Sequence, residues 1–177
     1  VVYSDGITYV CNENKKVIEV PEKINGKKVT KVKFALEYDY SLVEEIFIPE
    51  YVEKVNIVSM LDFPNLKNIN LDEDNKSLEI RQGILFSNNE VLVVPTTVSS
   101  ITIDWENVED RSFADCVNLK KVIISNNVKS IGDYAFSNCS GIEEFVVENN
   151  STLEHIGTYA FMDCKSITKI VLPNSIQ

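Results

Sequence analysis

Aliphatic residues recur along this chain in one short pattern, apolar, two variable, apolar, one variable, apolar. It appears as Val43/Ile46/Ile48, Leu66/Ile69/Leu71, Leu119/Val122/Ile124, Ile142/Phe145/Val147 and Ile167/Ile170/Leu172, and the third unit offers Asn89/Leu92/Val94. The last two members alternate with period 2 and are mostly β-branched, which predicts a short strand with its intervening residue on the other face. Segments such as Gly132-Asp-Tyr-Ala-Phe-Ser-Asn-Cys139 are too short for a full helix and predict a helical turn or a 3₁₀ segment. One strand and one turn per repeat is a rung of a solenoid, whose strands stack into a parallel sheet about 4.8 Å apart.

Three cysteines set the frame. Aligning Cys116, Cys139 and Cys164 also aligns Phe113, Phe136 and Phe161, and the slot of the cysteines holds Tyr40, Phe63 and Phe86 upstream. The predicted units are 29–51, 52–74, 75–97, 98–127, 128–152 and 153–175, about six rungs of 23–30 residues, with extra residues near Ile101–Asp104 and Asn149–Thr152. Residues 1–28 fall outside the frame. Tyr3–Cys11 and Val17–Val20 around the polar turn Asn12–Lys16, followed by Asn25-Gly26, predict an N-terminal β-hairpin cap on a 29–177 array. The absence of an initial Met leads us to expect an excised segment of a longer product.

The units Ile131-Gly-Asp-Tyr-Ala-Phe136-Ser-Asn-Cys139 and Ile156-Gly-Thr-Tyr-Ala-Phe161-Met-Asp-Cys164 resemble the BspA-like, Treponema-type leucine-rich repeat. Ile24–Val32 resembles the lead-in to that family's first repeat, and Gln82–Phe86 with Val93–Pro95 its variant unit. The first two units depart, with Leu36-Glu37 and Ser59-Met60 where Ala-Phe is expected. The resemblance implies a leucine-rich-repeat solenoid with its parallel sheet on the concave face and short turns, 3₁₀ or helical segments opposite. It also implies a bacterial cell-surface or secreted protein that adheres to proteins, cells or matrix without catalysing a reaction.

Composition narrows the function further. Of 177 residues, 44% are apolar and 25% charged, with 17 Lys and Arg against 27 Asp and Glu, a net charge of −10. No basic cluster offsets this, which argues against nucleic acid and anionic membranes as partners. No apolar run approaches the roughly 20 residues that cross a bilayer as a helix. One histidine, His155, excludes a multi-histidine metal site. The cysteine slot is aromatic in earlier units, so Cys116, Cys139 and Cys164 are expected to be buried free thiols. Asp72-Glu-Asp-Asn75 lacks the glycine and distant glutamate of a calcium loop and reads as a solvated acidic turn. No catalytic, metal or cofactor residue is expected.

The outward strand positions are the candidate binding face. They form a central ladder of Phe47, Asn70, Val93, Ile123, Val146 and Val171, flanked by the charges Lys121, Glu144 and Lys169. An apolar stripe with a charged rim suits a protein or glycan partner. The alternative is a structural spacer, or a segment of a larger surface protein that self-associates end to end.

Overall fold

The computed structural model describes every residue except 1, 4, 5, 37, 58, 169, 171 and 173–177. The chain divides into two compact units, Val1–Thr97 and Val98–Gln177. Both are built on the leucine-rich-repeat β-solenoid plan with almost no helix.

In the first unit the strands are β1 (Val2–Tyr3), β2 (Gly6–Cys11), β3 (Val17–Glu19), β4 (Lys23–Ile24), β5 (Lys27–Phe34), β6 (Glu45–Ile48), β7 (Lys54–Asn56), β8 (Asn68–Leu71), β9 (Glu79–Arg81), β10 (Ile84–Ser87) and β11 (Glu90–Val93). Strands β2, β5 and β7 run parallel in one sheet, and β3, β6 and β8 in another. Three rungs therefore each give one strand to each sheet. Period-2 alternation fills the interior: Val32, Phe34, Ile46, Ile48 and Ile69 are buried while Lys33, Phe47 and Asn68 face out. Tyr40 stacks on Phe63 at 4.8 Å, and Phe34 meets both edge-on.

The expected N-terminal hairpin is not formed. Strands β2 and β3 do not pair with each other; β2 lies parallel on β5 with Cys11 opposite Phe34, and β3 on β6 with Ile18 opposite Ile46. The turn between them is a corner, held because the Lys16 carbonyl accepts from the Glu44 and Glu45 N–H groups of the next rung. This geometry buries Cys11, Ile18 and Val20 completely or nearly so, whereas a free hairpin would leave one apolar face in water. The Asn25-Gly26 signal does make a tight turn, with both residues at positive φ, and joins β4 to β5.

A second correction concerns the third repeat. Residues 79–93 form an antiparallel meander, β9 to β10 to β11, rather than a rung strand. The pairs Gln82/Gly83 and Asn88/Asn89 all adopt left-handed φ, which reverses the chain twice in a few residues. The solenoid strand reappears in residues that the sequence frame treats as an insertion, through the pattern Val98/Ile101/Ile103.

Strands β12 (Ser100–Ile103), β13 (Asn107–Val108), β14 (Lys121–Ile124), β15 (Ser130–Ile131), β16 (Glu144–Val147) and β17 (His155–Ile156) make up the second unit. One parallel sheet runs β12-β14-β16 and another β13-β15-β17, with a bridge from Phe145 to Ile170. The segments between them are turns, and the 3₁₀ helix Met60–Asp62 of the first unit is the one helix among the described residues. Their N–H groups bond to the next rung, as Phe113 does to the Ala135 carbonyl (2.8 Å) and Phe136 to that of Ala160 (2.8 Å). An α-helix would need those donors internally. The left-handed positions this requires repeat in all three turns, as Arg111/Tyr134/Tyr159 and Asp115/Asn138/Asp163. The second set suits the chemistry, since Asp and Asn tolerate that region best among non-glycine residues.

Candidate interaction surface

Two outward ladders stand where the sequence places a binding face, one in each unit. In the second unit Thr102, Ile123 and Val146 lie side by side in register on β12, β14 and β16. Their neighbours Ile101, Ile103, Val122, Ile124 and Phe145 are buried beneath them, so the backbone is anchored while Val146 remains 41% exposed. In the first unit Glu19, Phe47 and Asn70 align across β3, β6 and β8, with Phe47 also 41% exposed. A shallow groove of about 360 Å³ surrounds Phe47 and is rimmed by Glu19, Glu22 and Asp72.

Val93 does not belong to either ladder. It sits in β11 of the meander, opposite Leu85, and is 1% exposed. The misplacement follows from the shifted third repeat, because Thr102 occupies the slot that the sequence frame gives to Val93. Val171 and Lys169 lie outside the described residues.

The flanking charges are largely answered by their neighbours. Lys121 and Glu144 are in register and form an ion pair of 2.6 Å, Lys120 pairs with Glu143 at 3.3 Å, and Lys129 with Glu106 at 2.7 Å. In the first unit Glu44 sits between Lys67 (2.9 Å) and Lys16 (3.3 Å), and the Lys67 hydrogen bond holds its carboxyl below the usual carboxylate value. Such solvent-exposed pairs are screened by water and add little to stability. Their greater effect in the second unit is to set opposite charges side by side along the rim of the apolar stripe.

On the turn side the structure brings together residues that the sequence pattern does not single out. The Arg111 guanidinium lies over the Tyr134 ring at 4.7 Å, and Tyr134 meets Tyr159 at 5.3 Å. The signal was available, since the three share one slot of the repeat. His155 is exposed on β17, its N–H bonded to the Lys129 carbonyl. Among the described residues no three His, Cys, Asp or Glu side chains gather as a metal-binding group. Among the described residues no helix is long and apolar enough to cross a membrane.

All four cysteines are free thiols; Cys11, Cys116 and Cys139 are buried and Cys164 is half-buried. Cys139 donates to the Phe113 carbonyl (2.9 Å) and Cys164 to that of Phe136 (3.0 Å). The adjacent Cys116 thiol and burial push the Cys139 thiol upward, and burial pushes Cys164 up to about 12. Thiolate is the reactive form, so these groups are poor nucleophiles at neutral pH. Labelling of native protein with a thiol reagent at pH 8 should leave Cys139 untouched and modify Cys164 first and slowly; Cys139 reacting at the rate of a free thiol would contradict its placement.

Residues 93–177 match the family model described as the BspA type leucine rich repeat region. The chain carries a BspA-type leucine-rich repeat region. Among solved structures, a leucine rich cell surface protein from Faecalibacterium prausnitzii is similar over 91% of this chain and 48% of its own, with a TM-score of 0.65 and 20% identity. The pneumococcal vaccine antigen PcpA is similar over 86% of this chain and 49% of its own, with a TM-score of 0.56 and 19% identity. At these identities the likeness is one of fold. The chain spans about half the length of each of these two solved structures. No curated protein matches it significantly. The BspA-type repeat thus accounts for the second unit in full, Val98 onward, together with the end of β11.

Proposed function

We propose that the protein is a non-enzymatic binding and adhesion module that acts outside the cell and recognises a protein, or a glycan, through the outward face of its strands. The observation that carries this reading is the ladder Thr102, Ile123, Val146: β-branched side chains held in register on a buried, hydrogen-bonded sheet, with apolar area left in water. Presenting such a surface on a rigid backbone lowers the ordering cost of association. The cell-surface description of the Faecalibacterium relative supports an extracellular setting. A spacer or self-associating role would need no exposed apolar ladder.

The test is an array of purified extracellular proteins and glycans, with every hit re-measured on the variant Ile123→Thr with Val146→Thr. Threonine keeps the β-branched shape, so thermal stability should stay within a few degrees while affinity falls about tenfold or more, the loss expected when three buried carbon groups are removed and two hydroxyls added. Hits that bind the variant as well as the parent would move the site off this face.

A further inference from the structure

We infer that the sheet β2-β5-β7 of the first unit carries a second docking site, one that takes an extended acidic peptide by strand addition at β7. This groove lies on the other sheet from the Phe47 ladder and stands independently of the binding face proposed above. Three observations converge on it.

The first is an exception to the charge rule of the repeat. At the slots described above, neighbouring rungs set lysine against glutamate, as in Lys16/Glu44/Lys67 and Lys121/Glu144. On β5 and β7 the register instead places Lys31 beside Lys54, lysine against lysine on strands about 4.8 Å apart. Lys33 follows on the same face two residues along β5. Glu53 and Glu90 line the same groove, yet neither Lys33 nor Lys54 has a carboxylate within ion-pair distance among the described residues. In a chain of net charge −10, Lys33 and Lys54 are thus left available for an external counter-charge.

The second observation is space. A groove of about 610 Å³ runs over Lys31, Lys33 and Lys54, walled on one side by the tip of the β10–β11 hairpin, residues 87–90. The third is backbone. Among the described residues β7 has a strand neighbour on one edge only, β5, because the meander removes the rung strand that would have covered the other. An open edge offers main-chain donors and acceptors to an incoming strand.

An extended peptide meets all three. Its backbone pairs with β7, and side chains at alternate positions repeat about every 6.6–7 Å, the same period that separates Lys31 from Lys33. Carboxylates at those positions reach Lys54 directly and Lys33 along its flexible stem. The small polar side chains Ser87 and Asn88 complete the wall without blocking it.

The probe is a fluorescent peptide of about ten residues alternating Glu and Val, followed by anisotropy with the full chain at low salt. Binding should be saturable below about 1 mM, and Lys33→Glu with Lys54→Glu should weaken it about tenfold or more, the equivalent of two lost charge contacts. Both lysines are exposed, so circular dichroism and thermal unfolding should show the variant folded as the parent is. Methylating alternate peptide nitrogens, which keeps the charges and removes the edge hydrogen bonds, should weaken binding by a similar factor. Absence of binding below about 1 mM would overturn the proposal. So would equal binding of the N-methylated peptide, or displacement by heparin with no dependence on peptide backbone, either of which would make the groove a general anion trap.

Discussion

Phe136→Ala should destabilise the second unit by about 3–5 kcal/mol, the cost of truncating a fully buried phenylalanine that cannot be replaced by collapse of its surroundings. The ring is stacked between Phe113 (5.2 Å) and Phe161 (5.6 Å) and meets Phe145 edge-on at 5.6 Å, so it is the middle member of an aromatic column. Removing it strips contacts from the turns on both sides. Each rung is stabilised by its neighbours, which makes the loss propagate along the unit. Trp105, the sole tryptophan, is buried in the same unit, and its fluorescence in a urea titration reports the change. Phe136→Leu should cost much less, because most of the volume is kept. A loss under about 1 kcal/mol for the alanine variant would mean that the column does not hold the unit together.

Asn75→Ala should cost the first unit about 2–4 kcal/mol, although the residue lies in a stretch that reads as an acidic surface turn. Its side chain is buried and uses both ends: Nδ2 donates to the carbonyls of Pro49 (3.0 Å) and Val52 (2.9 Å), and Oδ1 accepts from the Ser77 and Leu78 N–H groups (2.9 Å each). Alanine leaves the Val52 carbonyl and the Ser77 and Leu78 N–H groups unanswered, while the Pro49 carbonyl keeps the Val52 N–H (3.3 Å), and each buried group without a partner costs about 1–3 kcal/mol where water cannot enter. Asn75→Asp separates the two ends. The carboxylate can still accept from Ser77 and Leu78 but faces two carbonyls where donors stood, an environment that raises its folded pKa. Stability of that variant should therefore rise as the pH falls through the raised value and decline as the pH rises, while Asn75→Ala shows no such dependence. Denaturant midpoints at pH 4 and pH 7 distinguish the two.

These cases show where a one-dimensional pattern carries three-dimensional information. The slot that holds Tyr40, Phe63, Cys116 and Cys139 was legible because each of these residues accepts, through its carbonyl, the N–H three positions on, from Val43, Leu66, Leu119 and Ile142. A repeated local bond enforces a repeated local sequence. The third unit broke the count because Gln82-Gly83 and Asn88-Asn89 reverse the chain, and a fixed step of 23 passes over such turns. With the frame displaced, the period puts Val93 on the outward ladder and counts Ile101–Asp104 as extra residues, Ile101 and Ile103 among them. The structure buries all three.

By itself the sequence determined the repeat, the inward set of aliphatic residues, the phenylalanine column and the two outward ladders where the period holds. These depend on residues a few positions apart or one rung apart, and stacking imposes the same solvent contrast on every copy. Only the tertiary structure decided that residues 6–24 form a rung rather than a hairpin, that Asn75 is an internal tie, that the rim charges pair across rungs, and that Lys31 and Lys54 share a register beside an open edge. Those facts turn on which strand lies next to which, and strand choice is settled by burying the most apolar surface over the whole unit, a sum that no local window contains.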